Sequence, residues 1–314
     1  MNAPIELTGK KILITGAAGF IGSHLVRRLG TLGGEIHALD IVKGHGGSAD
    51  VRWWQSDLAD PAGVQKLFKT VKPDIIFHLG SYVSGSRDAD VVVPTFRSNL
   101  MSTVNLLLAA EKIGCQRLIL TGSMEEPRPG QNDLASISPY SVSKLASSTY
   151  GRMFFSLYGL PVVILHLFMV YGPGQADTKK LVPYVILSLL RNEIPKIGSG
   201  RREVDWVYVD DVVEGFIRSA QAEGLPGQTI DIGSGTLIPI SQIVGKIVDL
   251  VNPRIKPDFG ALPDRPYENS RAADIQRTFE LTGWTCRTGL EDGLRRTALW
   301  FRENMPKGGL HENS

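Results

Sequence analysis

Two residue patterns in the chain have the types and the spacing that dinucleotide chemistry needs. Gly16, Gly19 and Gly22 follow a short apolar run, and Tyr140 and Lys144 lie four positions apart more than a hundred residues later. The glycines predict a turn that holds a pyrophosphate. The tyrosine and lysine predict an acid–base dyad on one face of a helix. Together the two patterns indicate transfer of a hydride to or from a nicotinamide.

Each glycine has a physical role in such a turn. Gly16 allows a tight bend, Gly19 lets the backbone approach the diphosphate, and Gly22 permits close packing of helix on strand. The helix that begins there offers unpaired N–H groups and the positive end of its dipole. Asp40 ends the next predicted strand, where a carboxylate accepts hydrogen bonds from both ribose hydroxyls and repels a 2′-phosphate. The sequence therefore favours NAD over NADP.

Tyr140 needs a neighbour because a neutral tyrosine, with a pKa of about 10, is a poor base at neutral pH. We expect the Lys144 ammonium to stabilise the phenolate, so that Tyr140 takes a hydroxyl proton while the carbon beneath it loses hydride to NAD. Ser123, at the end of the fifth predicted strand, is expected to bridge the same substrate oxygen; the alternative is a serine that bonds loop backbone. Glu125 fits two interpretations equally, a base acting beside a transient ketone and a surface charge.

The first half of the chain alternates short β-rich runs with amphipathic helical patterns. Several runs are continuously apolar, which is typical of a parallel, doubly wound sheet covered on both faces. The predicted strands are 11–15, 35–40, 51–55, 74–79, 117–121 and 162–168, and the predicted helices include 21–29, 62–70, 96–113 and 139–158.

In the second half the regular alternation is lost and Pro-rich connectors separate the helical patterns. Helices are expected at 181–191, 210–222, 240–251 and 289–303. We expect an α/β fold in which an NAD-binding Rossmann domain covers 1–170, with a return of the chain around 206–235. A smaller mixed α/β lobe that binds substrate is expected over 171–314.

Composition argues against several classes of protein. The 314 residues are 42% hydrophobic and 21% charged, and the net charge of +2 is spread along the chain, so nucleic acid is not an expected partner. Apolar stretches are shorter than the roughly 20 residues that span a bilayer, and a secretion pattern is not expected. Cys115 and Cys286 lie far apart without a metal-like spacing, so we expect reduced thiols, no metal and a cytoplasmic location.

Further candidate cofactor contacts follow the ends of the predicted strands. Asp57 and Leu58 are expected to meet the adenine, or to cap the next helix. His78 is expected to be a packed strand residue. The full set of candidate cofactor residues is Gly16, Gly19, Phe20, Ile21, Gly22, Asp40, Asp57, Leu58, Leu79, Gly80, Ser81, Asn99, Thr121, Tyr140 and Lys144.

These residues together resemble the extended short-chain dehydrogenase/reductase family, in its nucleotide-sugar epimerase/dehydratase branch. The resemblance implies tightly held NAD, a nucleoside-diphosphate sugar as substrate, and a homodimer formed through two helices, here 96–113 and 139–158. The segments that carry it are 15–25, 57–58, 78–79, Ser123, 138–144, 170–175 and 205–211.

The chain departs from the family pattern at positions that bear on substrate and reaction. Dehydratases of this branch often carry Asp where this chain has Met124, which cannot protonate a leaving hydroxyl, whereas simple epimerases usually have a small or apolar residue at the position of Glu125. The family's Arg before Asp205 is Val204. The candidate substrate-binding residues are Ser84, Ser123, Met169, which replaces the family's Asn, and Arg201, Arg202 and Arg265, three candidates for the diphosphate contact.

Four functions remain open. The leading hypothesis is an NAD-dependent epimerase that acts at C4 of the sugar through a transient 4-keto intermediate. A 4,6-dehydratase, with Glu125 drawing the C5 proton, is second. A 4-ketosugar reductase is third, and is less favoured because Asp40 selects NAD. The fourth is a non-catalytic protein that senses NAD, against which the intact set Ser123, Tyr140 and Lys144 argues.

Overall fold

The computed structural model describes residues 6–42, 44, 51–126, 138–264 and 270–304. The chain forms two compact units, each built from several segments. The first comprises Met1–Leu167, Val213–Ile232 and Asp274–Thr285, and the second comprises Phe168–Val212, Gly233–Ala273 and Cys286–Ser314. Two segments, 213–232 and 274–285, thus return the chain to the first unit, whereas the sequence analysis named a single return around 206–235.

The strands and helices follow in chain order. The strands are β1 Lys11–Thr15, β2 Glu35–Asp40, β3 Val51–Gln55, β4 Ile75–His78, β5 Arg117–Ser123, β6 Val162–Leu167, β7 Met169–Tyr171, β8 Lys196–Ile197, β9 Glu203–Tyr208, β10 Thr229–Ile232, β11 Leu237–Pro239 and β12 Asp258–Phe259. The helices are α1 Phe20–Gly30, α2 Pro61–Val71, α3 Val92–Thr95, α4 Ser102–Ile113, α5 Pro139–Tyr158, α6 Leu181–Leu190, α7 Val209–Gln221, α8 Ile240–Val251, α9 Ile275–Thr282 and α10 Leu290–Asn304.

The first unit contains a seven-stranded sheet in the order β10-β6-β5-β4-β1-β2-β3. Its neighbouring strands run parallel, which confirms the predicted doubly wound architecture. Every residue of β4 and β6 is buried, because a sheet with both faces covered excludes water from both rows of side chains. The first six strands lie within two residues of their predicted ends, and β10 was not predicted.

Two helices of this unit begin with strong sequence signals. In α2 the Asp60 side chain accepts hydrogen bonds from the Ala62 and Gly63 amides. In α5 Ser138 and Ser141 form a reciprocal capping box. The predicted helix over 96–113 begins earlier, since α3, a π-helical segment Phe96–Met101 and α4 run on without a break.

The second unit contains a three-stranded sheet, β11-β9-β7, and a two-stranded sheet, β12-β8. The pairing of β9 is parallel to β7 and antiparallel to β11, so this unit is mixed. The helices α6, α8 and α10 pack against one another, and each matches its predicted range within one or two residues. No helix among the described residues has the length and apolar character to cross a membrane.

Candidate active site

The glycine turn lies between β1 and α1 and leaves no room for side chains at two positions. Gly16 has φ +67°, and a Cβ there would lie 2.6 Å from the backbone nitrogen of Gly80. A Cβ on Gly22 would overlap the carbonyl oxygen of Gly16. Gly19 precedes the first turn of α1, which contains no acidic residue and is capped by no side chain of the described residues. The helix start therefore presents N–H groups that suit an anion.

The carboxylate of Asp40 lies beside this turn at the end of β2. Its Oδ2 accepts a hydrogen bond of 2.9 Å from the Ala18 amide, and Oδ1 accepts one of 3.3 Å from Val42. The carboxylate is thus fixed against the glycine turn while it stays partly exposed. The glycine turn leaves a space that side chains would fill, and the next strand ends in the Asp40 carboxylate. Together these two features fit the diphosphate and ribose of NAD.

Leu79 and Gly80 adjoin the same turn. The Leu79 amide bonds to the Thr15 carbonyl oxygen at 3.2 Å, and the Gly80 amide bonds to the Thr15 hydroxyl at 3.2 Å. His78 contacts Thr15 and Thr103 through its two ring nitrogens, at 2.7 and 3.0 Å. Burial lowers the pKa of His78 to about 3, so this residue is a neutral, packed part of β4.

Tyr140 and Lys144 lie on the first turns of α5 and face the end of β5. The Tyr140 side chain meets the Ser123 side chain, and this interaction acts to lower the pKa of the phenol. Lys144 is buried, and its Nζ donates a 2.9 Å hydrogen bond to the Thr121 carbonyl oxygen. The same Nζ lies 5.9 Å from the centroid of the Tyr140 ring. The structure therefore brings together Ser123, Tyr140 and Lys144.

The electrostatics of the dyad differ from the expectation that Lys144 lowers the pKa of the phenol. Burial raises the pKa of Tyr140, and the charge of Glu125 adds to the rise, although the bond to Ser123 opposes it. Burial also lowers the pKa of Lys144 to about 8, against the attraction of Glu126. Desolvation disfavours the charged form of both groups. The protein alone thus favours the protonated form of Tyr140.

Asn99 connects the loop after β4 with α5. Its Oδ1 accepts hydrogen bonds from the Ser81 hydroxyl, at 3.0 Å, and from the Tyr82 amide, at 2.7 Å. Its Nδ2 donates to the Ser143 hydroxyl at 2.8 Å. The residue is buried and belongs to the π-helical segment, a geometry that is frequent at functional sites.

The remaining cofactor candidates range from partly exposed to buried. Asp57 accepts hydrogen bonds of 2.8 Å from Arg97 and from the Ala59 amide, and these contacts lower its pKa. Leu58 is buried, and its carbonyl oxygen accepts a hydrogen bond from Asn105. The other three, Phe20, Ile21 and Thr121, are partly buried in α1 and at the end of β5.

The candidate substrate residues are divided between the two units. Ser84 belongs to the first, where its hydroxyl accepts a hydrogen bond from the Ser86 amide at 3.1 Å. The second contains Met169, which begins β7, and Arg201 and Arg202, which precede β9. Arg265 lies outside the described residues.

Three buried charged residues beside Ser123 were missed by sequence reasoning. Glu126, His166 and Asp231 are 3%, 7% and 6% exposed, and they contact one another in a row. One signal was available: His166 interrupts an otherwise apolar strand. Glu126 gave none, since it follows another glutamate in a loop, and the contact with Asp231 joins residues 65 positions apart in the sequence.

The chain matches a known family over most of its length. The model of the NAD dependent epimerase/dehydratase family covers residues 12–233. The UDP-glucose 4-epimerase of Mycolicibacterium smegmatis is 31% identical, over 93% of this chain and 98% of that protein. The probable dTDP-glucose 4,6-dehydratase of Sinorhizobium fredii is 29% identical, over 94% of this chain and 93% of that protein.

The fold also matches solved structures over nearly the whole chain. The Bordetella bronchiseptica enzyme WbmF, crystallised with NAD+, superposes with a TM-score of 0.83 at 25% identity, over 96% of this chain and 95% of that one. These matches confirm both the resemblance noted in the sequence and the preference for NAD. The chain belongs to the NAD-dependent epimerase/dehydratase family, and its cofactor is NAD.

Proposed function

We propose that this protein is an NAD-dependent epimerase that inverts C4 of a nucleoside-diphosphate sugar. The observation that carries the proposal is that the side chains of Ser123 and Tyr140 meet, with Lys144 anchored on the nearby carbonyl oxygen of Thr121. Bound NAD supplies the hydride acceptor and a positive charge. In the proposal Gly16, Gly19, Gly22 and Asp40 hold the cofactor, together with the other cofactor candidates named above.

The protein's part in the reaction is to move and hold one proton. Tyr140 takes the proton of the sugar's C4 hydroxyl, and Ser123 keeps the sugar oxygen within hydrogen-bond reach of the phenol. Lys144 offsets the negative charge that develops on Tyr140. After the transient ketosugar has turned, Tyr140 would return the proton to the C4 oxygen, and bound NAD would supply the hydride to the opposite face. Substrate and product therefore have equal mass.

Two observations support epimerisation over the alternatives. Met124 is buried beside Ser123 and offers no proton for a leaving hydroxyl. The relative from Mycolicibacterium smegmatis is a UDP-glucose 4-epimerase and is matched over nearly its full length. The second unit, which contains Met169, Arg201 and Arg202, is proposed to bind the nucleotide sugar, with Arg265 as a further candidate.

A 4,6-dehydratase is the second candidate, and Glu125 is the observation that favours it. This glutamate is exposed, its amide donates a 3.1 Å hydrogen bond to the Ser123 hydroxyl, and its charge raises the pKa of Tyr140. A carboxylate this close to the dyad suits removal of a proton at C5. The relative from Sinorhizobium fredii is a probable dTDP-glucose 4,6-dehydratase.

The deciding experiment is incubation of the holoenzyme with UDP-, dTDP-, GDP- and CDP-sugars, followed by mass spectrometry. Unchanged mass with a new C4 epimer supports epimerisation, loss of one water supports dehydration, and gain of two hydrogens supports ketone reduction. Glu125→Gln should silence a dehydratase and leave an epimerase active. Glu111→Gln, an exposed glutamate on α4, is the matched control. If no sugar in the panel reacts, the proposal is wrong.

We also propose that the protein is a cytoplasmic homodimer. The helical stretches 92–113 and 139–158 carry eleven of the 22 large apolar side chains that are exposed among the described residues, including Val93, Leu108, Val142 and Leu157. Exposed apolar surface of this extent is typical of an interface. A second copy that presents the same two helices would bury it.

A further inference from the structure

The row formed by Glu126, His166 and Asp231, here named the charge row, is set by the register of three adjacent strands. In the parallel sheet Gly122 on β5 lies opposite His166 on β6, and His166 lies opposite Asp231 on β10. Residues in register on neighbouring strands point to the same face. The absent side chain of Gly122 leaves the space into which Glu126 folds back.

Glu126 forms hydrogen bonds with both backbone polar groups of Ser123. Its amide donates a 3.1 Å hydrogen bond to the Ser123 carbonyl oxygen, and its Oε1 accepts one of 2.8 Å from the Ser123 amide. The Ser148 side chain, on α5, also acts on this carboxylate and helps to lower its pKa. The backbone that carries the Ser123 hydroxyl, which meets Tyr140, is therefore held by Glu126.

His166 lies between two carboxylates. Its Nε2 is 3.2 Å from Glu126 Oε2, and its Nδ1 is 3.6 Å from Asp231 Oδ1. Burial acts against the imidazolium, but Asp231 and Glu126 outweigh it and raise the pKa of His166. The pKa of Glu126 is lowered, since the contacts with His166, Ser148 and Ser123 outweigh its burial. The two carboxylates thus favour the imidazolium form of His166.

The charge row requires a glycine at position 122. A Cβ at this position would lie 2.7 Å from Glu126 Oε1 and 2.7 Å from His166 Cδ2. Any other residue would push Glu126 or His166 out of place. The strand that carries Ser123 is therefore shaped to admit the charge row directly behind it.

We infer that the charge row is a positioning unit for the reaction, in which protonated His166 keeps Glu126 charged and Glu126 holds Ser123 in line with Tyr140. This inference rests on the proposed function of the Ser123–Tyr140–Lys144 site. None of the three residues is a catalytic residue, because each acts through the Ser123 peptide.

Other charged groups face the row from the elements packed against it. A cavity of about 390 Å³ borders it, lined by Arg152 on α5 and by Arg277 on α9, with Asp274 at the start of α9. The Asp274 amide donates a 3.2 Å hydrogen bond to Asp231 Oδ2. On the other side, the negative charge of Glu126 acts on Lys144. The two arginines favour the carboxylates, and Asp274 favours the imidazolium.

The sign of the pH dependence follows from the raised pKa of His166. The positioning is complete below the ordinary histidine value of 6.5 and is lost as pH rises through the higher folded-state value. When His166 loses its proton, Glu126 and Asp231 are left as buried anions without their shared counter-charge. Glu126 then holds Ser123 less firmly, and kcat falls.

The test uses the NAD-loaded enzyme with the nucleotide sugar that the panel identifies. His166→Gln removes the charge from the row and keeps a group that bonds to Glu126. Its matched control is His37→Gln on β2, because His37 is also buried and lies 3.1 Å from the carboxylate of Glu35, far from Ser123 in the strand order. His166→Gln should lower kcat at least tenfold at neutral pH and change KM and NAD affinity less than threefold. His37→Gln should keep the wild-type kcat.

Glu126→Gln gives a readout that a merely structural role would not produce. The Ser123 amide and the charged His166 both donate hydrogen bonds to the Glu126 side chain, whereas a glutamine offers only one accepting side. A neutral His166 accepts at Nε2, so Glu126→Gln should gain activity as pH rises, opposite to the wild type. If this variant does not fold, Ser148→Ala, which weakens the hold on Glu126, takes its place. Ser148→Ala should lower kcat, and its kcat should fall at a lower pH than that of the wild type.

The titration of His166, followed by NMR with carbon-labelled histidine, requires no substrate. A midpoint at or below about 6.5, the ordinary value, overturns the inference, as does equal kcat in His166→Gln and His37→Gln. A wild-type pH profile in Glu126→Gln, or in its replacement Ser148→Ala, also overturns it. If the wild-type enzyme converts no sugar but His166 titrates above that value, the proposed function fails while the charge state of the row stands.

Discussion

Tyr140 and Lys144 have pKa values that shift in the directions that burial imposes, and both shifts act against the charged forms. Spacing in the sequence predicts that the two residues meet, but burial is a property of the folded environment. The consequence is a phenol whose protonated form is favoured by the folded protein.

Replacing the phenol oxygen tests the acid–base role directly. Tyr140→Phe removes the hydroxyl that meets Ser123 and should lower kcat by about 10²–10⁴-fold, the usual contribution of a general acid–base group. NAD should remain bound, because the glycine turn is unchanged. Steady-state kinetics and NAD titration by calorimetry measure the two effects. A variant with near wild-type kcat would exclude Tyr140 as the proton acceptor.

The depressed pKa of Lys144 makes this residue unfavourable for stability. With a folded value of about 8 and an ordinary value of 10.5, its charge destabilises the fold fully below pH 8, and the penalty fades as pH rises toward 10.5. Lys144→Met should raise the free energy of unfolding at pH 7 by about 1–3 kcal/mol while abolishing turnover.

Urea unfolding at pH 7 and at pH 10 measures this effect, and the gain should shrink at pH 10. Lys112→Met, an exposed lysine on α4, is the control and should show no gain at either pH. A gain for Lys144→Met that does not change with pH would contradict the assigned pKa.

Asp40 is proposed to set the choice of dinucleotide through its charge. Asp40→Asn keeps an acceptor for the Ala18 amide but no longer repels a 2′-phosphate. The ratio of NAD to NADP affinity should fall about tenfold, or by 1.4 kcal/mol. Fluorescence titration with both cofactors measures the ratio, with Asp60→Asn at the start of α2 as control. An unchanged ratio would remove the proposed role of Asp40.

At the scale of elements, the start of α5 decides where the dyad lies. Ser138 caps the helix two residues before Tyr140, and Pro139 begins it. Lys144 is then carried to the end of β5, where it meets the Thr121 carbonyl oxygen. The start of α1 is fixed by the backbone of the glycine turn, without a side-chain cap from the described residues. Both helix starts are encoded locally, which is why the sequence predicts them.

Loss of the cap on α5 should therefore affect both stability and activity. Ser138→Ala should cost about 1 kcal/mol in the free energy of unfolding, as N-cap removal usually does, and should lower kcat severalfold because Tyr140 lies in the first turn. Asp60→Ala removes the equivalent cap of α2 and should cost the same stability without changing kcat. Thermal unfolding and kinetics on both variants decide the matter. Equal kcat values would show that the α5 cap has no positioning role.

At the scale of the whole molecule, the exposed apolar side chains on 92–113 and 139–158 support the proposed dimer. Leu108 on α4 is 44% exposed, and Leu250 on α8 is 38% exposed. Leu108→Arg should convert the dimer to monomer, because a charge placed in an apolar interface loses its hydration. Leu250→Arg should leave the dimer intact. Light scattering after size-exclusion chromatography measures both, and a wild-type monomer would disprove the proposal.

The sequence by itself determined the alternation of strands and helices, the glycine turn, and the family. These depend on local patterns: apolar periodicity, caps, and residues four positions apart on one helix. The last strand of the large sheet, β10, and the helix α9 were not predicted, because four-residue and eight-residue elements give weak periodic signals.

Only the tertiary structure decided which charges lie behind Ser123. Glu126, His166 and Asp231 come from a loop and two strands, and they meet because β5, β6 and β10 are neighbours in the sheet. The same is true of the pKa values of Tyr140 and Lys144. Strand order and burial arise from contacts between distant segments, and a linear pattern of residue types does not contain them.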